Sequence, residues 1–102
     1  MEEKYKTRVV YEIYASDKMR IKSFFGSLNI LSTLEILVND LKNLNLVEGE
    51  VLFGKNKDIK NKFYLCYFPN QESWVEDMDK SENLIKESGF RIFHSWAYNQ
   101  KV

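Results

Sequence analysis

Arg8-Val-Val-Tyr-Glu-Ile-Tyr14 and Lys62-Phe-Tyr-Leu-Cys-Tyr-Phe68 decide the fold. Each is a cation followed by six mostly apolar or aromatic residues, and the two stand 54 positions apart. In the first, Val9, Tyr11 and Ile13 fall on one side and Val10, Glu12 and Tyr14 on the other, the two-residue period of a β-strand. The second separates Phe63, Leu65 and Tyr67 from Tyr64, Cys66 and Phe68, and stops at Pro69, which has no N–H to offer a ladder. Both predicted strands have large side chains on both faces, so the sheet they build needs cover on two sides.

Working outward, a second match follows at an offset of 40: Leu44 with Leu84, Gly49 with Gly89, Leu52-Phe53 with Ile92-Phe93. The order strand, helix, glycine, strand therefore occurs twice, and the chain reads as a single domain, 1–102, with an internal pseudo-repeat of 7–54 and 62–98. The two offsets differ by 14, which places an insertion within 17–31. The insertion has no clear period of its own. Its Phe24, Phe25, Leu28 and Ile30 give it enough apolar content to cover a sheet face.

Ser32-Thr-Leu-Glu35 has capping-box spacing. Leu34, Leu37, Val38, Leu41 and Leu44 then trace the i, i+3, i+4, i+7 stripe of an amphipathic helix. A strand is expected over 46–54, a charged hairpin loop over 55–61, and a second helix capped by Asn70 or Ser73 with Trp74, Met78, Ser81 and Ile85 inward. Its acidic residues, Glu76, Asp77 and Asp79 among them, read as a solvated face matched to the helix dipole. A last strand covers 90–98. The predicted fold class is α+β: two βαβ-like halves, two helices and a four-stranded, mainly antiparallel sheet. The halves either interleave, the ferredoxin-like arrangement, or lie side by side with a groove between them.

Composition limits the chemistry. Fifteen basic and 15 acidic residues cancel, so no global field draws the molecule to phosphate backbones. The charge is nevertheless segregated, about +3 over 55–62 and −4 over 72–87. One cysteine forbids an intramolecular disulfide and a thiolate metal cluster. The N-terminus has no apolar run, so no secretory leader is expected and a cytoplasmic setting is the expectation. Apolar stretches fall short of the roughly 20 residues of a membrane span, so no membrane partner is expected. The excess of lysine over arginine and the many asparagines resemble small proteins of viruses and mobile elements.

No catalytic residue, metal ligand or cofactor site is expected. His94 is the single histidine, and beside Phe93 and Trp96 it reads as a packed imidazole. Cys66 sits in an apolar strand with no cation beside it in sequence to lower its pKa. The carboxylates of the second helix lack the spacing of a calcium loop. There is no Gly-x-Gly-x-x-Gly or Gly-Lys-Ser/Thr to cradle a phosphate.

The aromatic strands carry the functional expectation. If the helices cover Val9, Tyr11, Ile13, Phe63, Leu65 and Tyr67, then Tyr14, Tyr64, Phe68 and Phe93 lie on the opposite face beside Lys62 and Arg91. The run 61–68 is loosely similar to the third strand of RNA-recognition motifs, but lacks their two glycine-like positions and leading cation. The expected function is a non-catalytic interaction module. It binds a protein or peptide, a second copy of the chain included, through Tyr14, Tyr64, Phe68, Arg91 and Phe93. Zero net charge and tyrosine enrichment favour this over the second reading, an RNA or single-stranded DNA binder that adds Lys55, Lys57, Lys60 and Lys62.

Overall fold

The computed structural model describes residues 4–44, 47–56 and 58–101, and only the backbone over 47–52. The elements run β1 (Tyr5–Ala15), α1 (Asp17–Phe24), α2 (Ile30–Lys42), β2 (Val47–Lys55), β3 (Lys62–Pro69), α3 (Trp74–Glu87) and β4 (Phe90–Lys101). All four strands form one antiparallel sheet in the order β2-β3-β1-β4. The α+β class is as the sequence implies, and the halves interleave rather than lying side by side. Each helical connection joins two parallel strands with one strand between them, β1 to β2 and β3 to β4, the split βαβ arrangement.

Three helices are present among the described residues, where the pattern predicts two. The additional one, α1, lies within the insertion at 17–31. Ser16 caps it by accepting from the Met19 N–H at 3.3 Å, and Gly26, at φ 76°, turns the chain out of it. Its short span has only one buried residue, Met19, so no apolar stripe announced it. Helix α2 also starts earlier than expected. Asn29, not Ser32, is the N-cap, and its Oδ1 accepts from the Ser32 N–H at 3.0 Å. Asparagine serves this position as well as serine does.

The core lies between the helices and one sheet face. Val9, Tyr11, Ile13 and Ala15 of β1 and Phe63, Leu65 and Tyr67 of β3 pack with Leu34, Leu37, Val38 and Leu41 of α2, Ile85 of α3 and Met19 of α1. Met19 lies against Gly89, where a Cβ would come within 3.1 Å of the methionine's Sδ; with φ at 99°, Gly89 also needs the left-handed backbone that glycine adopts freely.

A buried polar seam crosses this core. Tyr11 and Tyr67 stack with ring centroids 6.3 Å apart. The Tyr11 hydroxyl donates to the Met78 carbonyl at 3.1 Å and the Tyr67 hydroxyl to Ser81 Oγ at 2.6 Å; Ser81 donates in turn to the Asp77 carbonyl at 2.8 Å. Asp77 is 1% exposed, which corrects its placement on the solvated face. Its carboxylate folds back over the turn after Pro69, accepting from the Asn70 N–H at 3.0 Å and the Ser73 hydroxyl at 3.3 Å. Ser73 stands at the N-cap, as one of the two expected candidates, but its side chain makes no cap bond and donates to Asp77 instead.

Replacing Leu37 by alanine removes a fully buried side chain and is expected to cost ~2 to 5 kcal/mol. Phe24→Ala, at a residue 84% exposed, should change stability by less than ~0.5 kcal/mol. Paired denaturant melts check both. Burial holds the Tyr11 and Tyr67 phenols above their ordinary value of 10.0, so each stays protonated in the fold where the unfolded chain ionises. Their contribution is complete below pH 10 and is lost as pH rises above it. Melting temperatures measured across that range should fall, and less steeply in Tyr67→Phe.

Candidate functional site

The face of the sheet away from the helices is formed by alternate residues of the same strands that build the core. The register sets them in rows: Arg8 beside Tyr98, Val10 between Cys66 and Trp96, Glu12 between Tyr64 and His94, Tyr14 between Lys62 and Arg91. The insertion does not cover this face. Met19 and Ile30 join the core on the helix side, while Phe24 and Phe25 meet edge-to-face at the surface, 84% and 76% exposed.

Of the residues predicted for binding, Tyr14, Tyr64 and Phe68 are half-buried on this face, and Arg91 and Phe93 are exposed. Phe93 is present because of a register shift. β1 and β4 pair Glu12 with His94 and Ile13 with Ile92, leaving Phe93 as the extra residue of a bulge. Its ring lies 4.0 Å from Lys62 Nζ. Lys62 also pairs with Glu12 at 3.2 Å, with side chains 11% and 20% exposed. A cation held between a carboxylate and an aromatic ring thus sits on the face where β3 begins.

That pairing divides the four lysines offered for nucleic-acid contact. Lys55 and Lys60 are exposed, Lys57 lies outside the described residues, and Lys62 is engaged within the sheet. The hairpin loop they share is ordered by Asn56. Its Oδ1 accepts from the N–H groups of Asp58 and Ile59 at 2.8 and 2.9 Å, and its Nδ2 donates to the Tyr64 hydroxyl at 2.9 Å.

Two residues depart from expectation. Cys66 has a cation beside it after all, because the pairing of β1 with β3 brings Arg8 within reach. The Arg8 Nη2 donates to Cys66 Sγ at 3.0 Å, which raises the guanidinium pKa further above its ordinary value. Arg8 also donates from Nη1 to Gln100 at 2.6 Å and lies 5.3 Å from the centre of the Phe68 ring, while its Nε is buried with no partner among the described residues. His94 is exposed rather than packed, its ring tilted against Trp96 at 5.2 Å. Its neighbour Glu12 spends its charge on Lys62. Arg8, His94 and Trp96 were missed because their place depends on register, which local pattern does not reveal.

Among the described residues no group of three His, Cys, Asp or Glu side chains could hold a metal ion, and no helix is long and apolar enough to cross a membrane. No protein-family model matches the chain, and no curated protein matches it. Among solved structures it is similar to PA3566 from Pseudomonas aeruginosa, which it matches over 100% of its own length and 98% of the other, with a TM-score of 0.58 and 9% sequence identity. At that identity the likeness is one of fold.

The Lys62–Glu12 pair is more sheltered than a surface ion pair and less than a core one. Lys62→Gln should therefore cost ~1 to 2 kcal/mol, since it strands a half-buried carboxylate. Glu12→Gln added to it should recover much of the loss. A double-mutant cycle on denaturation midpoints measures the coupling.

Proposed function

We propose that the chain is a non-catalytic interaction module that binds a protein surface through its helix-free sheet face, a second copy of itself being the first partner to test. The observation that carries this reading is the set of rings on that face. Tyr14, Tyr64, Phe68 and Trp96 are half-buried and Phe93 is 64% exposed, with no helix packed over them among the described residues. Aromatic side chains gathered on an open sheet face are characteristic of interfaces, where tyrosine, tryptophan and phenylalanine supply large contact areas at small cost in side-chain entropy.

Charge supports the same reading. Arg8, Glu12 and Lys62 are already bonded within the sheet, so a partner meets rings framed by satisfied polar groups rather than a field of free cations. The titratable groups buried in the core, Asp77 with Tyr11 and Tyr67, are hydrogen-bonded within the fold, in keeping with a structural part. The single cysteine suits an intracellular setting.

Sedimentation of the purified chain is expected to show self-association. Tyr64→Ala and Phe93→Ala should each weaken it by more than they lower the melting temperature. A chain that is monomeric at every concentration would remove the second copy as partner. Two variants that unfold while altering no association would return these rings to a purely structural part. Binding to short poly-U with a log-log salt slope near about −3, abolished by changing the four loop lysines to glutamine, would transfer the face to nucleic acid.

A further inference from the structure

We infer that the end of the sheet face, where it meets the 55–62 loop, is a binding site for a small aromatic carboxylate. The site goes beyond the protein-binding reading and does not depend on it. A cleft of about 380 Å³ opens there between the end of β1, the start of β3 and the bulge of β4. That volume lies in the range of small-molecule sites.

Its lining combines apolar and cationic side chains. Tyr14, Ile59 and Phe93 line it, with Ile59 51% and Phe93 64% exposed, so a planar ligand finds two aromatic rings and an aliphatic side chain there. Arg20, Lys60 and Lys62 line the same cleft, and no carboxylate does. Two of these cations are already balanced from outside it, Arg20 by Asp17 and Lys62 by Glu12. Lys60 is exposed and has no partner among the described residues, so the cleft holds one uncompensated positive charge.

Asn61 adds the polar complement. Its backbone is in the left-handed region, φ 64°, where asparagine is among the residues best tolerated, and its carbonyl accepts from the Ala15 N–H at 2.9 Å. The main chain is thereby tied to the end of β1. Asn61 lines the cleft, and its side-chain amide has no hydrogen-bond partner among the described residues. A ligand with a flat apolar body and a single negative end matches this set: the ring between Phe93 and Tyr14, the carboxylate at Lys60 Nζ with the Asn61 amide donating to it. A dianion such as a phosphate monoester would exceed the one free charge, and a neutral aromatic would leave Lys60 unmatched.

The probe is 2-naphthoate, with 2-naphthamide as its neutral counterpart, titrated into the intact chain and followed residue by residue in amide spectra. Naphthoate should bind with a Kd on the order of 1 mM or below, shifting the signals of Tyr14, Ile59, Asn61 and Phe93, and the amide should bind more weakly. Lys60→Gln, a change at an exposed residue, should weaken naphthoate about two- to fivefold, the range an exposed ion pair supplies, and leave the amide unaffected. Phe93→Ala should weaken both. Absent shifts, shifts that map elsewhere, equal binding of acid and amide, or indifference to Lys60→Gln would each overturn the site. Sedimentation of Lys60→Gln run in parallel reads the protein-binding face separately, so either proposal can fail while the other stands.

Discussion

β1 is hydrogen-bonded on both sides, to β3 through 9–14 and to β4 along its whole length, and its inward residues from Val9 to Ala15 are at most 1% exposed. Every other element takes its position from this strand. β3 and β4 flank it, the helices lie on its apolar row, and α1 leaves directly from its end. Interleaving the two halves around β1 makes both helical connections join parallel strands. Connections of that kind turn right-handed almost without exception, and both then bring their helices to one side of the sheet. The bare face is thus a consequence of topology before it is a matter of function.

Such a sheet has to reconcile two solvents. On the helix side the problem is the polar atoms of large residues chosen for their bulk, and the hydroxyls of Tyr11 and Tyr67 are satisfied by the backbone of α3 and by Ser81. On the other side the problem is exposed rings, and the charged residues between them are held in pairs that run across strands. Lys62 answers Glu12, and Arg8 answers Cys66 and Gln100. Cross-strand pairing of this kind stabilises the sheet locally and keeps its face from being uniformly apolar.

The strands and their faces were legible because period two is a strong signal in residues as bulky as Val9, Tyr11, Phe63 and Tyr67. The helix stripes of α2 and α3 were legible for the same reason. What escaped has a common cause in long-range geometry. Asp77 looks like one acid among several until the turn after Pro69 brings the Asn70 N–H to it. Cys66 looks isolated until β1 sets Arg8 beside it. The bulge that leaves Phe93 without a partner in β1 has no mark in the local pattern, although the face of Phe93 was expected. Helix α1 was unreadable because eight residues with one buried side chain carry no period. The ends of β1 and β4 outran the predicted strands because they pair with each other beyond the point where β3 stops.

That overhang is where Gln71 acts. Past the end of β3, the side chain of Gln71 takes the place of a strand beside β1: its Oε1 accepts from the Thr7 N–H at 2.6 Å, and its Nε2 donates to the Pro69 carbonyl at 2.7 Å and to the Thr7 carbonyl at 3.4 Å. One amide thereby closes a gap into which a foreign strand could dock. The sheet is left with growth points only at its lateral margins, the outer sides of β2 and β4. Of these β4 is the longer template, twelve residues interrupted by the bulge at Phe93, with no neighbour beyond it among the described residues. Any polymerisation of this chain by strand addition would then propagate sideways from β4, leaving the aromatic face free to act on its own.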